Sequence, residues 1–375
     1  MLAITGGKIL TMVGPPIDRG TVLVDGDKIV QVGRNINVPA DGEIFDATGL
    51  IVMPGMIDCH THVGIAEEIF REEGDDVNET TEPVTPHLRA IDAINPMDPA
   101  FADAVAGGVT TVLTGPGSAN AIGGEMVVMK TSGTVVDDMI VRHPAGLKAA
   151  LGENPKRTYG KEKKSPVTRM AAAALIREAL IQGLNYLGEK APERDLKKES
   201  LARVLRREVP LRVHAHRADD IMTAVRIADE FALDLVIEHC TEGHLVAQKL
   251  AMKNIPAVVG PIITNRAKVE MKELTLAAAR ILDESGVLLA IMTDHPVVPI
   301  QYLAASAALT VKGGLSPDKA LQCVTINAAK ILGLEKRLGS IEPGKDADLV
   351  IWDGHPLDIS ARVTRVYIGG KMVLP

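Results

Sequence analysis

The chain has 375 residues, 46% hydrophobic and 24% charged, which suits one large domain with a small satellite. Its net charge of −7 and 2% aromatic content exclude a nucleic-acid phosphate-backbone binder and a base-stacking surface, which need clustered cations and exposed rings. The absence of any long apolar run excludes a membrane-spanning helix, and three scattered cysteines with no leader at Met1 point to a reducing cytoplasm.

The first fifty residues predict short strands at Leu2–Ile4, Lys8–Met12, Thr21–Asp25, Lys28–Val32 and Glu43–Asp46, separated by turns such as Asp25-Gly26-Asp27. Ile51–His60 follows as a buried strand. Apolar runs then mark strands at Val109–Leu113, Met126–Lys130, Gly146–Leu151, Leu211–His216, Leu235–Cys240, Ala257–Ile263 and Leu288–Asp294. Helical periodicity occupies Thr168–Leu187, Asp220–Phe231, Gly243–Ala251, Val269–Ser285 and Ile300–Lys312. Eight strands alternating with helices predict an α/β fold, a parallel (β/α)8 TIM-like barrel. The last forty residues return to strands at Ala347–Trp352, Val363–Ile368 and Lys371–Leu374. Neither terminal set is large enough to be stable alone. Residues 1–52 and 336–375 are therefore expected to build one small composite β-sandwich domain, with the barrel at 53–335 inserted between them.

Two inserts break the rhythm: the acidic, proline-bearing Ile65–Pro96 and the basic Glu153–Val167. Each reads either as a solvated loop or as part of an active-site rim, because loops after barrel strands sit on the catalytic face.

Histidines fall at the C-terminal tips of the predicted strands. His60 and His62 end the first, and residues i and i+2 of a strand point to the same side. His214 and His216 repeat that spacing, His239 ends the sixth strand, and Asp294 followed by His295 ends the eighth. A lone histidine is usually a satisfied core or surface residue; five imidazoles and a carboxylate at matching strand ends point instead to a divalent metal, zinc first. Cys59 and Cys240 adjoin this set but alternate away from it and read as small core residues. The glycine-rich Gly115–Gly124 lacks the Gly-Lys-Ser/Thr ending of a phosphate loop, and reads as a strand-end loop bringing Asn120 near a substrate.

Two longer motifs frame these residues: Val52-Met-Pro-Gly-Met-Ile-Asp-Cys-His-Thr-His62, and Gly339-Ser-Ile-Glu-Pro-Gly-Lys-Asp-Ala-Asp-Leu-Val-Ile-Trp352. With Thr325-Ile-Asn-Ala-Ala-Lys330, they make the whole chain resemble the amidohydrolase superfamily, in particular its imidazolonepropionase-related members. The resemblance implies that His60, His62 and Asp294 ligate the more buried metal, that His214 and His239 are ligands from the fifth and sixth strands, and that His216 and His295 contact substrate. For the fourth-strand bridging ligand it offers Glu153, favoured narrowly for its place at the strand tip, or a carboxylated Lys148; with neither, one ion remains instead of two. The implied reaction is hydrolysis of a non-aromatic C–N bond (an amide, cyclic amide or small peptide-like bond) by metal-activated water. Asp294 then moves the proton, and His239 or His216 polarises the carbonyl. Deamination of a ring amidine is the alternative, and a non-catalytic scaffold a third reading. A small-molecule substrate, no nucleic acid, no membrane and a homo-oligomer complete the expectations.

Overall fold

The computed structural model describes residues 1–40, 42–69, 72–190 and 192–374. Its first five strands are β1 (Leu2–Ile9), β2 (Ile17–Asp25), β3 (Lys28–Gly33), β4 (Glu43–Asp46) and β5 (Ile51–Pro54). The long β1 merges two predicted strands. It pairs antiparallel with β2, and in parallel first with β4 over Leu2–Thr5 and then with β5 at Lys8–Ile9. The handover falls at Gly6, whose φ of +76° and closeness to Thr48 (2.5 Å from a Cβ placed there) leave room only for glycine.

The barrel strands follow: β6 (Met56–Thr61), β7 (Val109–Thr114), β8 (Ile122–Lys130), β9 (Ile140–Ala150), β10 (Leu211–Ala215), β11 (Leu235–His239), β12 (Ala257–Val259) and β13 (Leu289–Ile291). They pair in chain order as one eight-stranded sheet among the described residues. It curls until β13 nears β6: the Thr293 N–H and hydroxyl donate to Asp58 Oδ2 at 3.0 and 2.6 Å, and the His62 N–H donates to His295 O at 2.9 Å.

One strand departs from the predicted all-parallel pattern. β8 runs antiparallel to both β7 and β9, whereas β6–β7 and β9 through β13 are parallel. The connectors explain this. Seven residues, 115–121, carry no helix, and 131–139 hold only the single turn Val136–Met139. A parallel crossover needs about a dozen residues or more, so the chain reverses instead.

Where crossovers exist they follow apolar periodicity. Arg169–Gly188 is capped by Thr168, whose hydroxyl accepts from the Ala171 N–H, and Ala218–Phe231 buries Ile221, Ala224, Val225 and Ala228 at i, i+3, i+4 and i+7.

The closing strands are β14 (Leu349–Trp352), β15 (Val363–Ile368) and β16 (Lys371–Leu374). β14 pairs antiparallel with β5, so both chain ends contribute to a single sheet ordered β16-β15-β14-β5-β1-β2-β3, with β4 also on β1. Alternate residues of this sheet, including Ile4, Val22, Val24, Val52, Leu349 and Ile351, form their own apolar core. An ionic cluster centred on the buried Asp346 and Asp348 lies beside it. Asp346 meets Lys28, Lys130 and Arg337, and Asp348 meets Lys130, which projects from the end of β8.

Candidate metal centre

The strand ends converge on a cavity of about 310 Å³. β6 delivers His60 and His62, β9 delivers Lys148, β10 delivers His214 with His216 just beyond, β11 delivers His239, and Asp294 follows β13. His60 and His62 Nε2 lie 3.2 and 3.3 Å from Asp294 Oδ1, and Lys148 Nζ lies 3.3 Å from His60 Nε2. The His239 ring sits 5.2, 4.2 and 4.6 Å, centroid to centroid, from those of His60, His214 and His216.

The outer partners fix which nitrogen faces inward. His62 Nδ1 donates to Gly115 O at 2.7 Å and His239 Nδ1 to Gly260 O at 3.0 Å. A carbonyl only accepts, so each Nδ1 carries the proton and each Nε2 presents a lone pair, the usual arrangement behind a metal-bound imidazole. His60 Nδ1 donates to Glu238 Oε2 at 2.9 Å, and Glu238 Oε1 is paired at 2.6 Å with Arg212, whose Nη2 donates to Cys59 O. Arg212 and Glu238 are both fully buried beneath the site. His239 and Asp294 adopt left-handed backbone, φ +68° and +57°, a strained state for non-glycine residues that concentrates at functional positions.

Burial favours the neutral form of the site's bases. It lowers Lys148 to about 8 and His216 to about 4, and holds His214 and His239 well below the ordinary histidine value. Burial pushes Asp294 the other way, but His239 and hydrogen bonds from His60 and His62 outweigh it and keep the carboxyl well below the usual range.

The donor set fits a divalent cation. Both nitrogens of His214 and Nε2 of His216 are buried without a hydrogen-bond partner among the described residues. One ligand atom each from His214, His216 and His239 lies within 4.8 Å of the others, as does one each from His60, His239 and Asp294. Clustered imidazole nitrogens without other partners are the donor set that a divalent cation takes.

Three expected residues are placed elsewhere. Gly152, at φ +85°, turns the chain after β9, so Glu153 opens a helix (Glu153–Lys161) and its Oε1 accepts the Glu270 N–H at 3.1 Å, outside the cavity lining. Lys148, not Glu153, stands among the histidines. Asn120 donates to Glu79 O, Glu82 O and the Thr85 hydroxyl, clasping the 79–85 loop instead of facing a substrate. His295 is fully buried, and its Nδ1 accepts the Ile300 N–H at 3.2 Å; it does not line the cavity.

Other lining residues escaped the sequence reading. Val77 and Asn78 make part of the acidic insert a rim, and Asn154 does the same for the basic insert. Its amide donates to the Ser118 hydroxyl at 2.7 Å. Glu238 lies one residue before His239; buried Glu270 lies in the stretch whose periodicity predicts a helix from Val269 to Ser285, and Lys268 immediately precedes it. That stretch forms a short turn (Val269–Met271) and a helix only at Ala278–Glu284.

Known proteins share this arrangement of chain and fold. A family model described as "Amidohydrolase family" matches residues 51–373. An amidohydrolase, tasK, of Hapsidospora irregularis is 32% identical over 387 residues, covering 94% of this chain; the match spans 39% of that relative's length. An imidazolonepropionase of Sphingopyxis alaskensis is 25% identical over 390 residues, covering 96% of this chain and 93% of its own. A solved amidohydrolase from Thermotoga maritima superposes with a TM-score of 0.97 at 48% identity, covering all of both chains.

Proposed function

The chain belongs to the amidohydrolase family, and from that premise we propose that it hydrolyses a non-aromatic C–N bond in a small molecule, an amide or cyclic amide, with divalent ions, zinc first. The observation that carries this reading is the convergence of His60, His62, Lys148 and His239 around Asp294, each histidine tethered by its Nδ1 on the outer side. His60, His62 and Asp294 would hold one ion, His214 and His239 would hold a second, and Lys148, if carboxylated on Nζ by carbon dioxide with loss of a proton, would supply a carboxylate between them. When bound, the ions supply Lewis acidity and a water whose pKa is lowered to about 7.

The remaining work belongs to side chains. Asp294 Oδ1 faces His60 and His62, and its other oxygen takes the proton of the attacking water and passes it to the leaving nitrogen. Asn78, Ser118 and Asn154 line the same cavity and orient the substrate amide through hydrogen bonds. The Sphingopyxis relative, an imidazolonepropionase, favours a cyclic amide within this class.

Elemental analysis of chain purified without chelators, with Lys148→Ala and Glu153→Gln, tests the bridge. Lys148→Ala is expected to lose bound metal while Glu153→Gln keeps more of it. Equal metal loss in both variants would remove Lys148 from the bridge, and a single ion in all three would move the reading to deamination of a ring amidine. Asp294→Asn should abolish turnover of a panel of small cyclic amides with metal largely retained; undiminished turnover would remove the proton-transfer role.

A further inference from the structure

Glu270 is a buried carboxylate whose neighbouring cation, Lys268, approaches it without hydrogen-bonding to it. It is fully buried on the segment after β12, and its Oε1 has no hydrogen-bond partner among the described residues. That oxygen lies 3.6 Å from His216 Nε2 and 3.9 Å from His214 Nε2, and neither nitrogen has a hydrogen-bond partner either. Lys268 Nζ, at 3.7 Å, is beyond hydrogen-bond reach. A carboxylate oxygen and two imidazole nitrogens thus lie close together, buried and without hydrogen-bond partners among the described residues, where each carries an unmet desolvation cost.

The carboxylate is held in place from behind. Its Oε2 accepts the Glu153 N–H at 2.9 Å, and Glu153 Oε1 accepts the Glu270 N–H at 3.1 Å, a reciprocal clasp between the end of β9 and the segment after β12. A Cβ at Gly152 would come within 2.7 Å of Oε2, so the glycine leaves the space this carboxylate fills. His216 is oriented in the same way, its Nδ1 2.8 Å from the Thr241 hydroxyl.

We infer that the second ion position, to which His214 and His239 are assigned above, is completed by His216 and Glu270, with the Gly152–Glu153 turn as the support that positions the carboxylate. Donors on a tetrahedral zinc at about 2.0–2.2 Å lie about 3.4 Å apart. The separations of 3.6 and 3.9 Å from the Glu270 oxygen are close to that spacing, and the His214 and His216 rings lie 4.7 Å apart, centroid to centroid. Two imidazoles and a carboxylate are zinc-class ligands. The assignment rests on the metal-centre reading above and adds to it: His216 becomes a ligand instead of a substrate contact, and Glu153 supports a ligand without being one.

The test uses the full chain reconstituted with zinc alone and dialysed against a weak chelator, zinc per chain being counted for the unsubstituted protein, Glu270→Gln, His216→Asn and Lys268→Met. A cobalt-loaded series adds the visible ligand-field spectrum. Glu270→Gln and His216→Asn are each expected to lose one of the bound ions and to change the cobalt spectrum, with far-ultraviolet circular dichroism unchanged and Lys268→Met retaining full zinc. Full zinc and an unaltered spectrum in both Glu270→Gln and His216→Asn would overturn this site while leaving the proposed function standing. Zinc loss in Lys268→Met equal to that in Glu270→Gln would also overturn it, making Glu270 a salt-bridge partner. An unsubstituted chain that binds no zinc would instead overturn the metal-centre reading itself. If Glu270→Gln fails to fold, His216→Asn carries the test alone.

Discussion

Glu238→Gln is the sharpest probe of the scaffold beneath the histidines. The substitution keeps the side-chain shape but removes the charge shared between Arg212, at 2.6 Å, and His60 Nδ1, at 2.9 Å. All three residues are buried, so water cannot replace the lost charge. Stranding one member of a buried pair costs about 3–5 kcal/mol. With an unfolding entropy of about 2.1 cal/mol/K per residue, a 375-residue chain changes by about 0.8 kcal/mol per degree. The thermal midpoint of metal-free protein should therefore fall by about 4–6 °C. Zinc affinity should fall about 10–100-fold, because a neutral amide accepting from His60 Nδ1 no longer raises the basicity of the ring as the carboxylate does. Calorimetry of the stripped protein and a competitive zinc titration read the two effects separately. Adding Arg212→Met removes the stranded cation and should recover part of the midpoint. A single variant as stable as the parent, or a double variant less stable than the single, would refute the account of these charges as a coupled buried pair.

The ionic cluster beside the terminal sheet makes a pH prediction. Burial alone would raise Asp346, but hydrogen bonds from Lys28 and Arg337 and the charge of Lys130 outweigh it and hold the carboxyl below its ordinary value. A depressed folded value gives stability that is present above the unfolded value of about 3.9 and is lost as pH falls through the folded one. Asp346→Asn should therefore lower stability by about 1–3 kcal/mol at pH 7, with the difference from the parent closing towards pH 3; a constant difference in midpoint across that range would refute the assignment. Gly55→Ala tests the junction between β5 and β6. Its Cβ would lie 2.0 Å from the Thr110 hydroxyl oxygen, so denaturant unfolding should show a loss of about 1–3 kcal/mol that Thr110→Ala partly restores.

Much of this architecture was legible because its signals are local. The i, i+2 pairs at His60/His62 and His214/His216 place side chains together through strand geometry alone, and the apolar runs locate all eight barrel strands. What escaped depended on direction and on distant partners. The antiparallel course of β8 follows from connectors too short to cross over, a fact about the gaps rather than the strands. Glu153 sits at the right sequence distance for a ligand, but the left-handed turn at Gly152 redirects it, while Lys148 reaches the cavity from within β9. Glu270 had no local signal: its carboxylate approaches the histidines only because the segment after β12 folds back and is clasped by the end of β9.

The shared terminal sheet also has a consequence for how the protein is made. Met53 of β5 pairs with Val350 of β14, about 300 residues later in the chain. At about 5–20 residues per second on the ribosome, β5 emerges about 15–60 s before its partner is synthesised. Through that interval the nascent chain carries an apolar strand with an open hydrogen-bonding edge, a template for pairing with neighbouring chains until the last strands arrive.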